Sequence, residues 1–451
     1  MSIMPSLPNG LILAASSSNA GKTTLSLGLQ RLFSRKGLRV TPAKCGPDYI
    51  DPAFHGVASG HPSINLDPWA MSREDLQARA LRQGGLGDLL FVEGVMGLFD
   101  GAAKGQGSTA ALAHAIGLPV ILVLDVKGQA QTAAAIAKGI CDFDPALTIG
   151  GILLNRVGSK AHEHLLREAF APLDLPIVGA IRSSDQLQLP SRHLGLVQAG
   201  EHDDLDAMID RIADHMADDV DLDLILEIAS KIGAETRAPS GSPTSLPAPR
   251  HSLPPLGQHM AIARDEAFSF LYPHLLQEWS DQDAELSFFS PLADETPHEN
   301  ADAIYLPGGY PELHLEELAA AQNFRHAMRS AAERDVLIFG ECGGYMTLGR
   351  AILSADGVEV PMLDLLPITT SFAETKLSLG YRKLSHSSAL PWASQLAAHE
   401  FHYATITLKG DAEPLFEART AAGRNLAPMG LRVGSVHGSF AHIIAPLKNL
   451  D

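Results

Sequence analysis

The 451-residue sequence contains few cysteines, few aromatic residues and fewer basic than acidic side chains. Cys45, Cys141 and Cys342 are odd in number and far apart, which excludes a disulfide framework and fits a reducing compartment. With 34 basic and 52 acidic residues, the formal net charge is −18. This charge argues against non-specific binding to nucleic acid or anionic membranes. It does not exclude an anionic substrate, because local basic groups act within an acidic protein.

Long apolar segments are also missing. No stretch reaches membrane-spanning length without a glycine or a charge, and residues 1–9 contain neither a basic segment nor an apolar run. We therefore expect a cytoplasmic protein that is neither exported nor embedded in a membrane.

Short apolar strands alternate with helical segments along the chain. The predicted strands of the first half are residues 11–15, 38–40, 88–92, 119–124, 149–154 and 176–181. Alanine-rich or amphipathic segments separate these strands, which indicates βαβ units and a parallel sheet covered on both faces. A second α/β pattern begins at residue 260, with later strands at 303–306 and 336–339.

A proline-rich stretch separates the two patterns. Six prolines lie between residues 237 and 257, together with serine and glycine. Such a composition is typical of an extended, mobile linker. We expect an α/β fold of two domains, residues 1–236 and 258–451, joined by a linker at 237–257.

A phosphate-binding loop follows the first strand. Residues 16–23 match the P-loop pattern except that Ser16 replaces its first glycine. Backbone N–H groups there would cradle phosphates, Lys22 would reach the β/γ oxygens, and the Thr23 hydroxyl would ligate Mg²⁺. The predicted ATP-binding residues of this loop are Ser18, Asn19, Ala20, Gly21, Lys22, Thr23 and Thr24.

Acidic and amide side chains follow neighbouring strands, at the sheet edge that also carries the P-loop. Glu93 follows the third strand, and Asp48 and Asp51 follow the second. Carboxylates suit Mg²⁺, so we expect a metal site of Thr23, Asp48 and Glu93. Turn formation is the alternative for the aspartates and a solvated loop the alternative for Glu93. Asn155 ends the fifth strand, where its amide could contact a purine or cap a loop.

Cys342 lies on a sharp turn from a strand to a helix. The apolar strand 336–339 runs into Gly340-Glu341-Cys342-Gly343-Gly344, and glycines there permit a positive φ and close backbone approach. Free N–H groups and the start of a helix beside the sulfur favour thiolate, so Cys342 is a candidate nucleophile. A small buried cysteine in a tight turn is the alternative.

A cysteine nucleophile needs oxyanion donors and a base. Gly308 and Gly309 follow another strand, so Gly309 and Gly343 could each turn an N–H toward a developing oxyanion. His437, between small residues after a short strand, is the candidate base, although packing is the alternative for any single histidine. In His399-Glu400-Phe401-His402 the histidine spacing does not match a zincin helix, and we predict no structural zinc.

Taken together, these motifs resemble the cobyrinic or hydrogenobyrinic acid a,c-diamide synthases over about residues 11–442. The segments that carry the resemblance are Lys44–Pro52, Glu93–Gly101, Leu189–Leu196, Cys342–Met346, His399–Tyr403 and His437–Phe440. The resemblance implies a P-loop domain similar to dethiobiotin synthetase, then a class I type glutaminase domain. It implies amidation of the a and c acetates of a corrin ring, with glutamine, ATP and Mg²⁺.

The resemblance also implies roles for particular residues. Cys342 would be the glutaminase nucleophile and His437 its base. The expected corrinoid contacts are Asp48, Tyr49, Ile50, Asp51, Arg192 and His193; for Arg192, His193 and Lys376 a structural role is equally consistent. Ser439 stands where class I glutaminases carry the acid two residues after the base, which favours a Cys–His dyad.

The ATP requirement follows from chemistry. A carboxylate has no good leaving group for attack by ammonia, whereas an acyl phosphate has one. A glutaminase supplies ammonia unprotonated, although free ammonia is mostly ammonium at neutral pH.

Two other interpretations remain open from the sequence. A partitioning-type P-loop ATPase would carry a lysine after the first P-loop position, where Ser17 stands here. The same ligase chemistry could act on nickel-sirohydrochlorin or, as in cobyric acid synthase, on other corrin side chains. The metal-free substrate, hydrogenobyrinic acid, is preferred, because the alanine-, glycine- and aspartate-rich composition resembles that of bacteria that often use this route. The family resemblance also implies a homodimer.

Overall fold

A computed structural model describes residues 9–102, 105–184, 187, 191–192, 195–196, 204–231 and 248–447. Residue contacts divide the chain into two compact units, 1–250 and 251–451. Each unit is built on its own sheet of mainly parallel or mixed strands, which confirms the predicted α/β class. No helix within the described ranges is both long and apolar enough to cross a bilayer.

The first unit alternates strands and helices. Its elements are β1 Asn9–Ala15, α1 Lys22–Arg35, β2 Val40–Cys45, α2 Ile50–Ser59, β3 Ile64–Leu66, α3 Arg73–Gly84, β4 Leu89–Glu93, α4 Thr109–Ile116, β5 Val120–Asp125, α5 Gln131–Phe143, β6 Ile149–Val157, α6 Lys160–Phe170, β7 Ile177–Arg182, β8 Ser191–Arg192, β9 Gly195–Leu196, α7 Leu205–Met216, α8 Leu222–Ile228 and β10 Ser230–Lys231.

In the described part of this unit, the main sheet has the strand order β3-β2-β4-β1-β5-β6-β7, and β10 pairs with β1. In this described sheet, the seven strands named in that order are parallel to one another, and β10 is antiparallel to β1. Strands β1, β4 and β5 are mostly apolar and are buried except at Asn9 and Asp125, as expected for a sheet covered on both faces. Because β1 lies between β4 and β5, a crevice for ligands is expected at its carboxyl end.

The second unit combines a parallel half-sheet with an antiparallel extension. Its elements are β11 His259–Ala263, α9 Pro273–Asp281, β12 Glu285–Phe289, β13 Ala303–Leu306, a 3₁₀ helix Pro311–Leu313, α10 Leu315–Ala320, α11 Gln322–Glu333, β14 Leu337–Glu341, α12 Gly343–Leu348, β15 Ala351–Leu353, β16 Glu359–Pro361, β17 Ile368–Ser371, β18 Ser378–Ser385, β19 Gln395–His402, β20 Thr405–Lys409, β21 Glu413–Thr420, β22 Met429–Val433, β23 Val436–Ser439 and β24 Ala441–Pro446.

Its described main sheet has the order β12-β11-β13-β14-β23-β22-β21-β18-β19-β24. Its first five strands in this order, β12, β11, β13, β14 and β23, are parallel. Strands β13, β14 and β23 therefore all end at the same edge of the sheet. Strand β14 lies between β13 and β23. The residue that follows β14 is therefore flanked by the segments that follow both neighbours.

The end of the predicted linker packs onto the second unit. Leu253 and Leu256 are buried, and the Trp392 indole N–H donates to the carbonyl of Pro254 at 3.0 Å. The extended, mobile linker expected through residue 257 therefore differs from the structure in this part, because two leucines between the prolines supply apolar surface to bury. Residues 232–247 lie outside the described ranges.

Candidate functional site

The phosphate-binding loop connects the buried strand β1 to helix α1. Gly21 adopts φ 86° directly before Lys22, and a side chain there would collide with the Asn155 amide nitrogen at 2.3 Å. Gly21 at the N-cap offers no side chain to cap α1, which leaves its first N–H groups for a ligand. The backbone geometry of this loop is that of the predicted phosphate cradle, and phosphate binding by these residues stays a prediction.

Beside this loop, Glu93 is the centre of a buried network of charged groups. Its Oε1 accepts hydrogen bonds from Thr23 Oγ1 and Lys44 Nζ, both at 2.8 Å, and lies 3.9 Å from Lys22 Nζ. Its Oε2 lies 2.7 Å from His55 Nε2. Burial alone would raise the pKa of Glu93, but Lys44 and His55 hold it well below its usual value. Glu93 is therefore a fixed anion, which excludes the solvated-loop alternative.

Lys44 joins Glu93 to Asp51. Its ammonium group is 2.5 Å from Asp51 Oδ2, and the lysine is almost completely buried. Burial opposes the charge on Lys44, yet Asp51 and Glu93 raise its pKa above the ordinary value. The pKa of Lys22 is instead lowered, by burial and by the nearby charge of Lys44. Two lysines and two carboxylates thus share one small volume.

The predicted magnesium donors come together in part. Thr23 Oγ1 is 2.8 Å from Glu93 Oε1 and 3.4 Å from Asp51 Oδ2, so a hydroxyl and carboxylates border the phosphate cradle. This donor set fits Mg²⁺, which takes one or two carboxylates together with phosphate oxygens and water. The described residues contain no group of three or more His, Cys, Asp or Glu side chains arranged to bind a metal.

Asp48 instead caps helix α2. Its Oδ1 accepts from the backbone N–H groups of Ile50 and Asp51, at 2.8 and 3.1 Å. Its described contacts therefore match the turn alternative, and its metal role stays a prediction.

Of the predicted corrinoid contacts, Tyr49 and Ile50 begin α2 at the same sheet edge. Arg192 lies in β8, with its side chain outside the description, and His193 lies outside the described ranges.

Asn155 supports the phosphate loop. Its amide donates to the carbonyl of Ala20 at 2.8 Å and accepts from the N–H of Arg156 at 2.9 Å. These contacts match the loop-capping alternative, and contact with a purine stays a prediction. Thr24 donates to the carbonyl of Leu187 at 3.3 Å.

Two residues of this buried charged network were not predicted. Lys44 and His55 carry no phosphate-loop signature, and a lone lysine or histidine is usually a surface or packing residue. For Lys44, a signal was available, since it opens the segment Lys44–Pro52. For His55, the buried face of the amphipathic helix α2 was the available signal, and only the fold shows that this face meets Glu93.

In the second unit, Cys342 sits on a strained turn between β14 and α12. The residue has φ 47° and ψ −104°, outside the regions that non-glycine residues normally adopt, and it is buried. Its N–H donates to the carbonyl of Ser439 at 2.8 Å, which anchors the turn to the end of β23. The predicted nucleophile elbow is thus present as a backbone geometry.

The glycines around this turn leave space next to the sulfur. A methyl group on Gly343 would lie 3.0 Å from the Gly309 nitrogen, so the two predicted oxyanion glycines are neighbours. A methyl group on Gly308 would lie 3.2 Å from Cys342 Cβ and 2.4 Å from His442 Cε1. Cys342 and His442 therefore border the same small space, which substitution of Gly308 would fill.

His437 lies farther from the sulfur than predicted. In the β14–β23 ladder it pairs with Phe339, three residues before Cys342, which places it about 10 Å back along the strand. Its Nδ1 is 3.1 Å from the carbonyl of Ser435. The structure therefore does not bring the predicted base to the predicted nucleophile and places His442 there instead. The available signal was position relative to the strand. A base that reaches Cys342 has to lie after the end of β23, as His442 does, and not within the strand, as His437 does.

The resting state of the cysteine also differs from the expectation. Burial, Glu312 and Glu341 raise the pKa of the Cys342 thiol, while the nearby N–H of Gly343 acts in the opposite direction. The local turn was expected to favour thiolate, but the loss of water around a buried sulfur outweighs the helix end. A base is therefore needed to activate this thiol.

The segment His399–His402 lies on strand β19, where it forms a polar cluster. Glu400 pairs with Arg382 at 2.6 Å and with His402 at 2.9 Å, and these side chains line a cavity of about 540 Å³. Lys376 and Lys409 line the same cavity. The carbonyl of Phe401 lies 3.8 Å from Cys342 Sγ.

Comparison with known proteins assigns both units. Residues 11–197 match the CobQ/CobB/MinD/ParA nucleotide binding domain, and residues 259–449 match the CobB/CobQ-like glutamine amidotransferase domain. Hydrogenobyrinate a,c-diamide synthase of Rhizobium meliloti is 51% identical over 97% of this chain and 99% of that protein. The Brucella anthropi protein of the same name is 50% identical over 96% of this chain and 98% of that protein.

Solved structures also align with part of the chain. A glutamine amidotransferase from Thermotoga maritima aligns with 41% of this chain and 75% of its own, with 15% identity and a TM-score of 0.29. The family matches confirm the predicted pairing of a P-loop domain with a glutamine amidotransferase domain.

Proposed function

Since the chain belongs to the hydrogenobyrinate a,c-diamide synthase family, we propose that it amidates the a and c acetates of hydrogenobyrinic acid with ATP and glutamine. It is a glutamine-dependent carbon–nitrogen ligase of cobalamin biosynthesis. The observation that carries the proposal is the presence, in one chain, of a phosphate cradle and a strained cysteine turn. Each supplies one of the two chemistries that amide formation requires.

At the phosphate end, a substrate carboxylate oxygen attacks the γ-phosphorus of ATP, and ADP leaves. Lys22 and the N–H groups at the start of α1 hold the phosphates, which removes charge repulsion between the two anions. Thr23 and Glu93 would hold Mg²⁺, whose charge helps neutralise the phosphates. Ammonia then attacks the acyl phosphate carbon and phosphate leaves, so each amide uses one ATP.

At the cysteine end, His442 removes the thiol proton as Cys342 sulfur attacks the side-chain carbon of glutamine. The developing oxyanion lies beside the adjacent Gly309 and Gly343, whose N–H groups we assign as donors. The C–N bond breaks, and ammonia leaves with the proton from His442. Water then hydrolyses the thioester to glutamate and restores the thiol.

The substrate is anionic although the protein is acidic. Asp48, Tyr49, Ile50, Asp51, Arg192 and His193 stay the proposed corrinoid contacts, on the strength of the family resemblance. The metal-free ring is supported by the names of the relatives, which are hydrogenobyrinate enzymes. A homodimer and a cytoplasmic location also stay proposals.

The test compares two nitrogen sources in two variants. In Cys342→Ala we expect glutamine-driven amidation to disappear and amidation with added ammonia to continue. In Lys22→Ala we expect both to disappear while Cys342 still reacts with a glutamine analogue. If ammonia-driven amidation were lost in a folded Cys342→Ala protein, this division between the domains would be refuted.

The same assay identifies the substrate. Mass spectrometry of products from metal-free, cobalt- and nickel-loaded rings measures which one gains two amides. We expect diamide from hydrogenobyrinic acid. Turnover of nickel-sirohydrochlorin alone would instead assign the ligase to that ring, and ATP-dependent association with DNA without amide formation would favour the partitioning-type ATPase.

A further inference from the structure

The cysteine site lacks an acid at the position where class I glutaminases carry one. Two residues after His437 the sequence has Ser439, and two residues after His442 it has Ile444. An imidazole base without a partner is free to adopt the wrong tautomer or orientation. A buried carboxylate from a different position occupies the region behind His442.

This carboxylate belongs to Glu341, the residue directly before the nucleophile. Glu341 Oε1 accepts the backbone N–H of Ile443 at 3.0 Å, which ties the end of β14 to the residue after His442. Glu341 Oε2 accepts the Tyr305 hydroxyl at 2.9 Å and lies 3.6 Å from His442 Nδ1. The side chains of Glu341 and His442 are 3% and 2% exposed, so the pair lies away from water.

We propose that Glu341 is the positioning residue of the glutaminase site, with His442 Nδ1 directed at its carboxylate and Nε2 left to serve Cys342. This inference rests on the proposed function, because it assigns how that same cysteine is activated. At 3.6 Å the contact is electrostatic rather than a hydrogen bond. It strengthens when His442 takes the thiol proton, because the imidazolium then faces a buried carboxylate.

The arrangement removes two motions at once. Because the Ile443 N–H and the Tyr305 hydroxyl hold both carboxylate oxygens, the acid cannot rotate away from His442. Because Glu341 and Cys342 are consecutive in one tight turn, the carboxylate also cannot shift relative to the nucleophile. The triad acid thus reaches the base from the nucleophile elbow rather than from the strand that carries the base.

The other titratable groups next to His442 do not compete for its proton. His399 is the cross-strand partner of His442 in β19, and burial together with His442 lowers the pKa of His399 to about 3. Burial, reinforced by Glu341, raises the pKa of the Tyr305 hydroxyl well above its usual value, so it stays a donor. Burial and nearby carboxylates keep Cys342 protonated at rest. Glu341 is thus the carboxyl group that faces the imidazole.

The test is Glu341→Gln, which keeps the shape and removes the charge. Glutamate release from glutamine is measured in the full-length enzyme from pH 5 to pH 9. We expect kcat to fall about 100-fold with little change in KM, because the lost interaction forms mainly in the transition state. We also expect the acidic limb of the pH profile to move about one pH unit lower, because a nearby carboxylate favours the protonated form of a histidine.

Two controls separate positioning from structural support. Tyr305→Phe removes one hydrogen bond to Glu341 but keeps the carboxylate, so the acidic limb should stay in place with a smaller loss of kcat. Glu341→Asp keeps the charge and should restore the limb toward wild type. The proposal would be overturned if Glu341→Gln changed neither kcat nor the acidic limb of the pH profile. It would also be overturned if kcat fell while the acidic limb stayed at the wild-type pH.

Ammonia-driven amidation in the same proteins keeps the two proposals apart. If wild type and Glu341→Gln both amidate hydrogenobyrinic acid with ammonia, the fold and the ligase are intact and the glutaminase data decide on Glu341. If the wild type forms no amide from any nitrogen source, the proposed function fails. The assignment of Glu341 then still depends on glutamate release alone.

Discussion

The sites at the ends of β1 and β14 both bury reactive groups, but they treat charge in opposite ways. At the end of β1, the ammonium of Lys44 lies between the carboxylates of Asp51 and Glu93 and pairs with both. At the end of β14, carboxylates lie near a thiol that burial keeps protonated. The first site holds permanent ion pairs, whereas the second keeps its nucleophile neutral until a base removes the proton.

The difference matches the two chemistries. Phosphoryl transfer needs fixed charges that are in place before ATP arrives, because catalysis there is mostly electrostatic. Glutamine hydrolysis needs a nucleophile that becomes charged only with substrate bound, since a permanent thiolate invites oxidation. Predictions that remove a charge should therefore affect folding at the first site and reaction rate at the second.

The largest effect is expected for Lys44→Met. It leaves Asp51 and Glu93 buried without their shared ammonium, and breaking a buried pair in this way costs about 3–5 kcal/mol. Ammonia-driven amidation should also be lost. The measurement is urea unfolding followed by the fluorescence of Trp69, in a background where Trp279 and Trp392 are replaced by phenylalanine so that the signal reports the first unit.

Lys138→Met is the matched control. Lys138 pairs with Asp142 at 2.8 Å on α5, and both side chains are about 60% exposed. Its removal should leave the urea midpoint and the activity unchanged, because water screens such a pair. Equal midpoints for Lys44→Met and wild type would show that the first site does not depend on paired charge.

The sequence was sufficient for the phosphate loop and the carboxylates of the first site, though not for Lys44 and His55. At the second site it was sufficient for the cysteine turn, though not for the base. A strand, a glycine turn and Lys22-Thr23 are adjacent in sequence, and parallel strands bring Glu93 and Asp51 to the same edge by topology alone. The Cys342 turn was equally local. Each of these features follows from a pattern within a few residues or from one rule about sheet edges.

The rest depended on register and packing. Whether His437 or His442 faces Cys342 is decided by which residue ends β23, and strand ends are set by pairing with distant strands. The antiparallel strands β18 to β22 also gave weak patterns, since several of their faces are exposed. The raised pKa of Cys342 required knowledge of burial, which the local helix end could not indicate.

An intermediate effect is expected from the two histidine substitutions at the second site. His442→Asn should lower glutamate release about 10²–10⁴-fold, the usual contribution of a general base, whereas His437→Asn should lower it only a few-fold. Both histidines are buried, so ammonia-driven amidation serves as the folding control. A larger loss in His437→Asn than in His442→Asn would return the base to His437 and contradict the geometry at Gly308.

The smallest effect concerns the protonation of Asp51. Burial and the adjacent Asp48 raise the pKa of Asp51 to about 6 from an ordinary 3.8, although Lys44 opposes the shift. The folded protein then binds this proton more tightly than the unfolded chain does. Its contribution to stability is present at low pH and is lost as the pH rises through 6.

Asp51→Asn, which has no such proton, provides the reference in the same Trp69 background. From pH 5 to pH 7, the unfolding free energy of wild type minus that of Asp51→Asn should fall by about 1 kcal/mol. A difference that rises over this range would mean that Lys44 outweighs burial and keeps Asp51 ionised. The first site would then be fully charged at every working pH, and its contrast with the neutral thiol of Cys342 would be sharper still.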